Sequence, residues 1–236
     1  MFYYICEKSL ADAVESAMRT LSENGTVEER ENQDRKEMMK EIQIVIDVIE
    51  PMSEPFISKA MPCDINVLLD YEDEFILGTG DELGWKYTYH SLYSKYYDKA
   101  INELKRNPKS RRACIALGQG DINFTADPPC LQLIMINIVN EKLEITVVFR
   151  SNDGVKAFPM NIQAIAALQR KIANELNYEI GALHYVANNF HAYHNDFTLL
   201  DKYVALFDKY NTPETSYRKT YSYDQYIKAK AKRNNK

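Results

Sequence analysis

The chain contains 236 residues, enough for one sizeable domain with a buried core. Hydrophobic residues make up 45% of it and charged residues 27%, a composition that is typical of globular proteins and excludes a disordered chain. The formal net charge of -5 disfavours a general nucleic-acid binder, because such proteins need positive charge to hold phosphates. We therefore predict one domain over residues 1–236 and no nucleic-acid partner.

The N-terminus and the cysteines indicate where the protein works. The first residues lack the basic segment and cleavage site of a signal peptide, and no apolar run approaches the roughly 20 residues that span a bilayer. The four cysteines are far apart and form no CxxC pair, which disfavours a disulfide scaffold or a zinc site and suits a reducing compartment. We expect a cytoplasmic protein without a membrane partner or a metal.

Helical and strand patterns follow one another irregularly along the chain. Helical spacing of apolar residues predicts helices over 9–24, 93–105, 161–176 and 197–210, with Asn161 as an N-cap. Strand patterns cover 41–50, 111–118, 131–139, 143–150 and 182–190. The charged stretch 27–40 is predicted to be an exposed loop, and residues 212–236 to be a polar, basic tail.

This order of elements, without repeated βαβ units, favours an α+β fold with a mixed or antiparallel sheet flanked by helices. The strands over 131–139 and 143–150, joined by Asn140-Glu141-Lys142, are expected to form an antiparallel hairpin. Both strands are apolar on both faces in places, so the sheet needs cover on both sides. Helices or a second subunit can supply this cover, and we expect a homodimer that packs through the sheet.

Cys130 opens the first strand of this hairpin, in the stretch "DPPCLQLIMINIV". A cysteine in this place is either a small core residue or a thiol held for chemistry. Pro128 and Pro129 stiffen the backbone that leads to it, and a reactive thiol needs positive charge nearby to favour the thiolate. Antiparallel pairing brings Arg150, at the end of the second strand, to the same end of the sheet.

Two further motifs carry polar side chains at short spacing. In "FRSND", Arg150 and Ser151 can grip a phosphate, and Asp153 can accept N–H groups from a heterocycle. In "HAY", His191 and Tyr193 alternate, so both point to one side of a strand and can bind a sugar hydroxyl. A solvated turn and a half-buried aromatic edge are the structural alternatives for the two motifs.

Five sequence pieces, taken in order, resemble the thymidylate synthase and deoxycytidylate hydroxymethylase family. They are "NPKSRRACI" (107–115), "DPPCLQ" (127–132), "FRSND" (149–153), "FPMNI" (158–162) and "HAY" (191–193). The resemblance implies the fold of that family. It also implies transfer of a one-carbon unit from 5,10-methylenetetrahydrofolate, or a related pterin, to C5 of a pyrimidine nucleoside monophosphate.

The resemblance assigns roles to single residues as well. It implies that Cys130 attacks C6 of the pyrimidine, and that Asp153 lies near the folate ring and the active-site water. His191 and Tyr193 hold the sugar 3'-hydroxyl. The phosphate is bound by residues of both subunits: Arg150 and Ser151 of one chain, Arg111 and Arg112 of the other, and Arg35 near the N-terminus.

Asn161 bears on the choice of base. An amide both donates and accepts, so it can pair with O4 and N3–H of uracil, whereas cytosine presents an amino group and a bare N3. The resemblance implies an acid at this position in members that act on cytosine, so asparagine favours dUMP as the substrate. The catalytic glutamate of the family corresponds to Glu72 or Glu74 in "LLDYEDEFILG", with Glu72 preferred.

Departures from the family pattern leave the product open. Leu131 follows the cysteine where many members have histidine, and a basic, polar end replaces the closing C-terminal tail. The changed C-terminal end bears on hydride transfer from the folate, which a methyl product needs. Methylation to dTMP is therefore the first prediction, and hydroxymethylation of dUMP or dCMP is the alternative. A third possibility is a non-catalytic homologue that binds nucleotide or RNA through the "KAKAKRNNK" end.

Overall fold

A computed structural model describes residues 1–32, 35–81, 87–118, 128–210 and 221–234. Its helices are α1 (Leu10–Asn24), α2 (Ile65–Leu77), α3 (Tyr89–Arg106), α4 (Phe158–Leu176), α5 (Phe197–Tyr210) and α6 (Tyr223–Asn234). Its strands are β1 (Phe2–Glu7), β2 (Thr26–Asn32), β3 (Arg35–Val48), β4 (Cys114–Ala116), β5 (Leu131–Val139), β6 (Lys142–Phe149), β7 (Asn152–Asp153) and β8 (Glu179–Tyr193). None of these described helices is long and apolar enough to cross a membrane.

The strands form one mixed sheet in the order β1-β3-β8-β6-β5-β4, with β2 paired to β3 and β7 paired to β8. β1 runs parallel to β3, and β6 runs parallel to β8. The pairs β3–β8 and β5–β6 are antiparallel. This mixed sheet with separate helices confirms the predicted α+β class.

Helices cover one face of the sheet. Alternate side chains of β6 are fully buried on that face: Leu143, Ile145, Val147 and Phe149. The side chains between them, such as Thr146 and Val148, are only half-buried. Among the described residues the second face is therefore only partly covered, and its cover by a second subunit stays a prediction.

A tight turn joins β5 to β6. Asn140 and Glu141 have φ angles of 49° and 59°, and Val139 pairs with Lys142 across them. Positive φ at both central residues marks a type I′ turn, whose twist matches that of the strands it joins. The predicted hairpin is confirmed, with Lys142 as the first residue of β6.

The prediction of an exposed loop over 27–40 is wrong. β2 and the first half of β3 form an antiparallel hairpin there, while residues 33 and 34 lie outside the description. Charged side chains link the two strands, because Arg30 bonds to Glu41 and Lys36 to Glu29. Such cross-strand pairs stabilise an exposed hairpin without an apolar face, which is the signal that the sequence pattern lacked.

Helix α4 begins before its predicted start. Ala157 is the N-cap residue, and Pro159 lies in the first turn, where the fixed φ of proline suits a helix. The N-cap role predicted for Asn161 is therefore wrong, because this residue lies inside the helix. Asn161 is only 3% exposed, so its amide must find buried hydrogen-bond partners.

The polar, basic tail predicted over 212–236 is a helix, α6, in most of its described part. Tyr226 of α6 is fully buried, and its ring lies 5.1 Å from that of Phe56. The Tyr226 hydroxyl donates to the Glu72 carboxylate on α2 at 2.6 Å, and the Lys230 ammonium lies 3.1 Å from the same oxygen. One buried carboxylate thus holds a helix that the polar composition of the segment concealed.

Replacing Glu72 with alanine should lower the free energy of unfolding by about 3 kcal/mol, because Lys230 and Arg170 lose the anion that they share. Urea unfolding measures this loss. The control is Asp70→Ala on the same helix, whose more exposed ion pair with Arg233 should contribute less than about 1 kcal/mol. Equal losses in the two variants would contradict the anchoring role of Glu72.

Candidate functional site

Cys130 and Arg150 lie side by side at one end of the sheet, as the predicted hairpin requires. Cys130 immediately precedes β5 and Arg150 immediately follows β6, and the Arg150 backbone N–H donates to the Cys130 carbonyl at 2.9 Å. The Arg150 Nη2 atom is 3.7 Å from Cys130 Sγ. Since the thiol is half-buried, a positive charge contacts a partly desolvated sulfur.

The guanidinium of Arg150 is held by the backbone of the two prolines. Its Nε donates to the Pro129 carbonyl at 3.1 Å, and its Nη2 donates to the Pro128 carbonyl at 2.7 Å. Gln132 donates to the Pro129 carbonyl as well, at 2.6 Å. These contacts use only some of the N–H donors of an arginine, so the exposed Arg150 keeps donors for a ligand.

Ser151 and His191 approach each other from neighbouring strands. Asp153 in β7 pairs with His191 in β8, and Ser151 Oγ lies 3.4 Å from His191 Nδ1. His191 Nδ1 is 2.7 Å from the Asn189 side-chain oxygen, which places the ring proton on Nδ1. Nε2 is then an acceptor, and it is buried without a hydrogen-bond partner among the described residues. Burial lowers the pKa of His191, which keeps this acceptor neutral.

Tyr193 and Asp153 complete this cluster. The Tyr193 ring meets the His191 ring edge-on, with centroids 4.8 Å apart. Burial raises the pKa of Tyr193, and the Asp153 carboxylate raises it further, so the phenol stays protonated. One Asp153 oxygen accepts from the backbone N–H groups of Val155 (2.9 Å) and Lys156 (3.0 Å). The carboxylate is therefore oriented, and its second oxygen can accept from a ligand.

Three tyrosines that the sequence motifs did not indicate line the same region: Tyr71 on α2, Tyr89 on α3 and Tyr185 on β8. Burial raises the pKa of each of them, and the charge of Cys130 adds to the effect. The Leu131 backbone N–H faces the Tyr89 hydroxyl, which places α3 beside the strand that follows the thiol. With 17 tyrosines spread through the chain, no pattern singles out these three.

The Asn161 amide lies between two tyrosine hydroxyls. Tyr71 Oη donates to Asn161 Oδ1 at 2.5 Å, and the amide nitrogen faces Tyr185 Oη. Tyr185 in turn donates to the Asn152 side-chain oxygen at 2.8 Å. Because Asn161 and Asn152 are buried, these bonds decide which way each amide faces.

The structure separates the two candidates for the catalytic carboxyl group, Glu72 and Glu74. Glu72 is fully buried and bound by residues of α6. Positions 71 and 74 share a different face of α2, since successive helical residues turn by about 100°. Burial raises the pKa of Tyr71 and the charge of Glu74 raises it further, while burial also raises the pKa of Glu74 itself. Glu74 is thus the carboxyl group beside the site tyrosines.

Arg111 and Arg112 are exposed and lie far from the thiol of their own chain. The Ile136 N–H donates to the Ala113 carbonyl, so these arginines lie beside β5 at a point six residues past Cys130. That separation is roughly 20 Å at about 3.3 Å per residue, beyond the reach of either side chain. The side chain of the remaining predicted phosphate ligand, Arg35 at the start of β3, lies outside the described part of the structure.

The chain is similar to thymidylate synthases in sequence and in fold. The protein-family model described as thymidylate synthase matches residues 81–229. A protein of Methanocaldococcus jannaschii named "Putative thymidylate synthase" is 27% identical over 213 residues, which cover 84% of this chain and 95% of that protein. A thymidylate synthase of Mycoplasma mobile is 33% identical over 97 residues, or 41% of this chain and 34% of that protein.

A solved structure extends the comparison to the fold. Thermostable thymidylate synthase A from Bacillus subtilis matches with a TM-score of 0.68 at 18% sequence identity, and the match covers 84% of each chain. At this identity the likeness concerns the fold alone. It confirms the arrangement of sheet and helices predicted from the motifs.

Replacing Arg150 with alanine should slow alkylation of Cys130 by iodoacetamide roughly tenfold, because the thiolate loses the cation in contact with it. Mass spectrometry of the Cys130 peptide separates this thiol from the other free cysteines. Arg106→Ala, which removes an exposed arginine paired with Glu103, serves as the control. An unchanged rate in folded Arg150→Ala protein would show that the guanidinium does not activate the thiol.

Proposed function

This chain belongs to the thymidylate synthase family, and we propose that it transfers a one-carbon unit to C5 of a pyrimidine nucleoside monophosphate, converting dUMP to dTMP. The observation that carries the proposal is the contact of Cys130 with Arg150, in which Nη2 lies 3.7 Å from Sγ. A thiol beside a cation held by backbone carbonyls is the arrangement that a cysteine nucleophile needs. Ser151, Asp153 and His191 lie around this pair, and their donors and acceptors support a nucleoside monophosphate as the ligand.

Cys130 acts as the nucleophile in the proposed reaction. Its thiolate attacks C6, and the C5=C6 electron pair moves toward C5 and O4, so that C5 becomes a carbon nucleophile. When C5 has gained the one-carbon unit and lost its proton, the S–C6 bond breaks and the thiolate returns. Arg150 stabilises the thiolate before attack and after release. Glu74, whose pKa burial raises, is the carboxyl group suited to exchange protons at neutral pH.

The phosphate and the sugar bind at the end of the sheet where β6 and β8 meet. Arg150 and Ser151 hold the 5'-phosphate with a charged and a neutral donor. His191 Nε2, a buried acceptor without a partner among the described residues, accepts a hydrogen bond from the 3'-hydroxyl. The Tyr193 phenol, which stays protonated, donates to the same sugar oxygen.

Asn161 and Asp153 recognise the two rings. The Asn161 amide pairs with O4 and N3–H of uracil. The one-carbon donor is 5,10-methylenetetrahydrofolate or a related pterin, which supplies the carbon and, for a methyl product, the hydride. Asp153 fits such a ring, because its oriented carboxylate has an oxygen open to N–H groups of the pterin.

Arg111 and Arg112 are proposed to bind the phosphate in the second subunit of a homodimer. In their own chain they lie roughly 20 Å from Cys130 along β5, by the spacing of strand residues. A second copy that covers the partly covered face of the sheet brings these arginines toward its partner's site. The pairing also removes the apolar side chains of that face from water.

A hydroxymethyl product is the second candidate. The basic segment over 223–234 is the helix α6, which Glu72 anchors to α2. A docked helix is less able than a loose tail to fold over the site and exclude water. Water that adds to the exocyclic methylene carbon yields a hydroxymethyl group instead of a methyl group.

The charges of α6 argue against the RNA-binding alternative. Lys230 and Arg233 pair with acidic residues of α2, and Lys228 pairs with Asp224 in α6 itself. Paired cations release fewer counterions from a nucleic-acid backbone than unpaired ones, so they contribute less affinity. Two of the basic residues in the described part of this helix, Lys230 and Arg233, dock it on α2.

Incubation with tritiated dUMP or dCMP and methylenetetrahydrofolate tests the reaction. We expect tritium release from C5 of dUMP and a methylated product, with activity lost in Cys130→Ser because a hydroxyl is a far weaker nucleophile at this pH. Cys63→Ser, at a half-buried cysteine outside the site, should keep the activity. An exclusively hydroxymethylated product would select the second candidate, and tritium release that survives in Cys130→Ser would overturn the mechanism.

Mixed dimers test the shared site. Cys130→Ala and Arg112→Ala proteins should each lose most activity, and mixing them under conditions of subunit exchange should restore up to roughly a quarter of it, because one intact site forms in each heterodimer. Mixing Cys130→Ala with Cys130→Ser is the control that should restore nothing. Heterodimers that form without any gain in activity would exclude a phosphate site shared in this way.

A further inference from the structure

Asn161 lies between two tyrosines that other elements contribute. Tyr71 on α2 donates to the amide oxygen of Asn161 on α4 at 2.5 Å, and the amide nitrogen faces the hydroxyl of Tyr185 on β8. Tyr185 donates to Asn152 in β7 at 2.8 Å. The bond from Tyr71 therefore fixes the oxygen end of the amide.

Each end of the Asn161 amide keeps capacity for a further hydrogen bond. The oxygen can accept two bonds and receives one from Tyr71, while the nitrogen has two N–H groups and faces Tyr185. In this orientation the remaining acceptor and donor match N3–H and O4 of uracil. With the amide turned over, a donor faces N3 and an acceptor faces the 4-amino group, which matches cytosine.

The Tyr71 hydroxyl opposes the turned-over amide. In that state the amide nitrogen faces Tyr71 Oη, and the Tyr71 O–H proton loses its acceptor in a desolvated place. Tyr185 must then give up Asn152 in order to donate to Asn161. Burial raises the pKa of Tyr71, so loss of the proton does not relieve the conflict. A desolvated donor left without an acceptor disfavours the turned state roughly tenfold or more.

We infer that Tyr71 is a specificity-determining positioning residue, whose hydroxyl holds the Asn161 amide in the orientation that pairs with uracil and rejects cytosine. The inference rests on the proposed function, because it places the pyrimidine against Asn161. Tyr71 acts through the asparagine and needs no contact with the base. Asparagine alone does not choose between the two bases, since either face of its amide can be presented.

The test compares the binding of dUMP and dCMP to the intact protein by titration calorimetry, without a one-carbon donor. Tyr71→Phe removes the donor at the oxygen end of the amide and preserves the ring. The ratio of the dCMP and dUMP dissociation constants should fall roughly tenfold or more. Tyr185→Phe removes the acceptor at the nitrogen end, where Tyr71 still holds the oxygen. That variant should bind both nucleotides more weakly and keep the wild-type ratio.

Controls separate the possible outcomes. Tyr97→Phe, which removes a hydroxyl bonded to Glu175 near the opposite end of α4 from Asn161, should leave the ratio unchanged. A folded Tyr71→Phe protein with the wild-type ratio overturns the inference, as does an equal fall in Tyr185→Phe. If Tyr71→Phe does not fold, Tyr71→Met, which also lacks a hydroxyl donor, replaces it in the test. Wild-type protein that binds neither nucleotide overturns the proposed function, and the inference with it.

Discussion

The antiparallel pairing of β5 with β6 is the constraint on which the rest of the site depends. It places Leu131 opposite Phe149, so the residues just outside the pair, Cys130 and Arg150, meet through a backbone hydrogen bond. A slip of one residue would send alternate side chains to the opposite face of the sheet and separate the two groups. The tight turn at Asn140-Glu141 sets this register from the other end of the hairpin.

The end of the site around Asn161 has a different physical origin. Its polar groups come from α2, α4, β7 and β8, and they form a cluster of Tyr71, Asn161, Tyr185 and Asn152. A buried polar network is stable only when each member finds a partner, so the position of α2 and the orientation of the asparagine are coupled. The anchoring of α2 by α6 through Glu72 therefore bears on recognition at a distance from the anchor.

Sequence patterns predicted those parts of the structure that depend on residues close together in the chain. The hairpin and the meeting of Cys130 with Arg150 follow from strand periodicity and a short connection, and they were predictable. The β2–β3 hairpin was not, because its exposed strands are held by charge pairs and carry no apolar face. α6 was missed because one buried tyrosine and one distant carboxylate dock it. The site tyrosines and the choice between Glu72 and Glu74 depend on packing between elements far apart in the chain, which no local pattern encodes.

The distance along the chain between Glu72 and Tyr226 has a consequence for synthesis. These residues are 154 positions apart, so a ribosome that adds about 5–20 residues per second makes the partner roughly 8–30 s after the carboxylate. During that interval the Glu72 carboxylate on α2 lacks its partner Tyr226, and an unpaired charge is unfavourable in an apolar core. The helix can therefore settle only after α6 has emerged, and the part of the site that contains Tyr71 is among the last parts of the nascent protein to take shape.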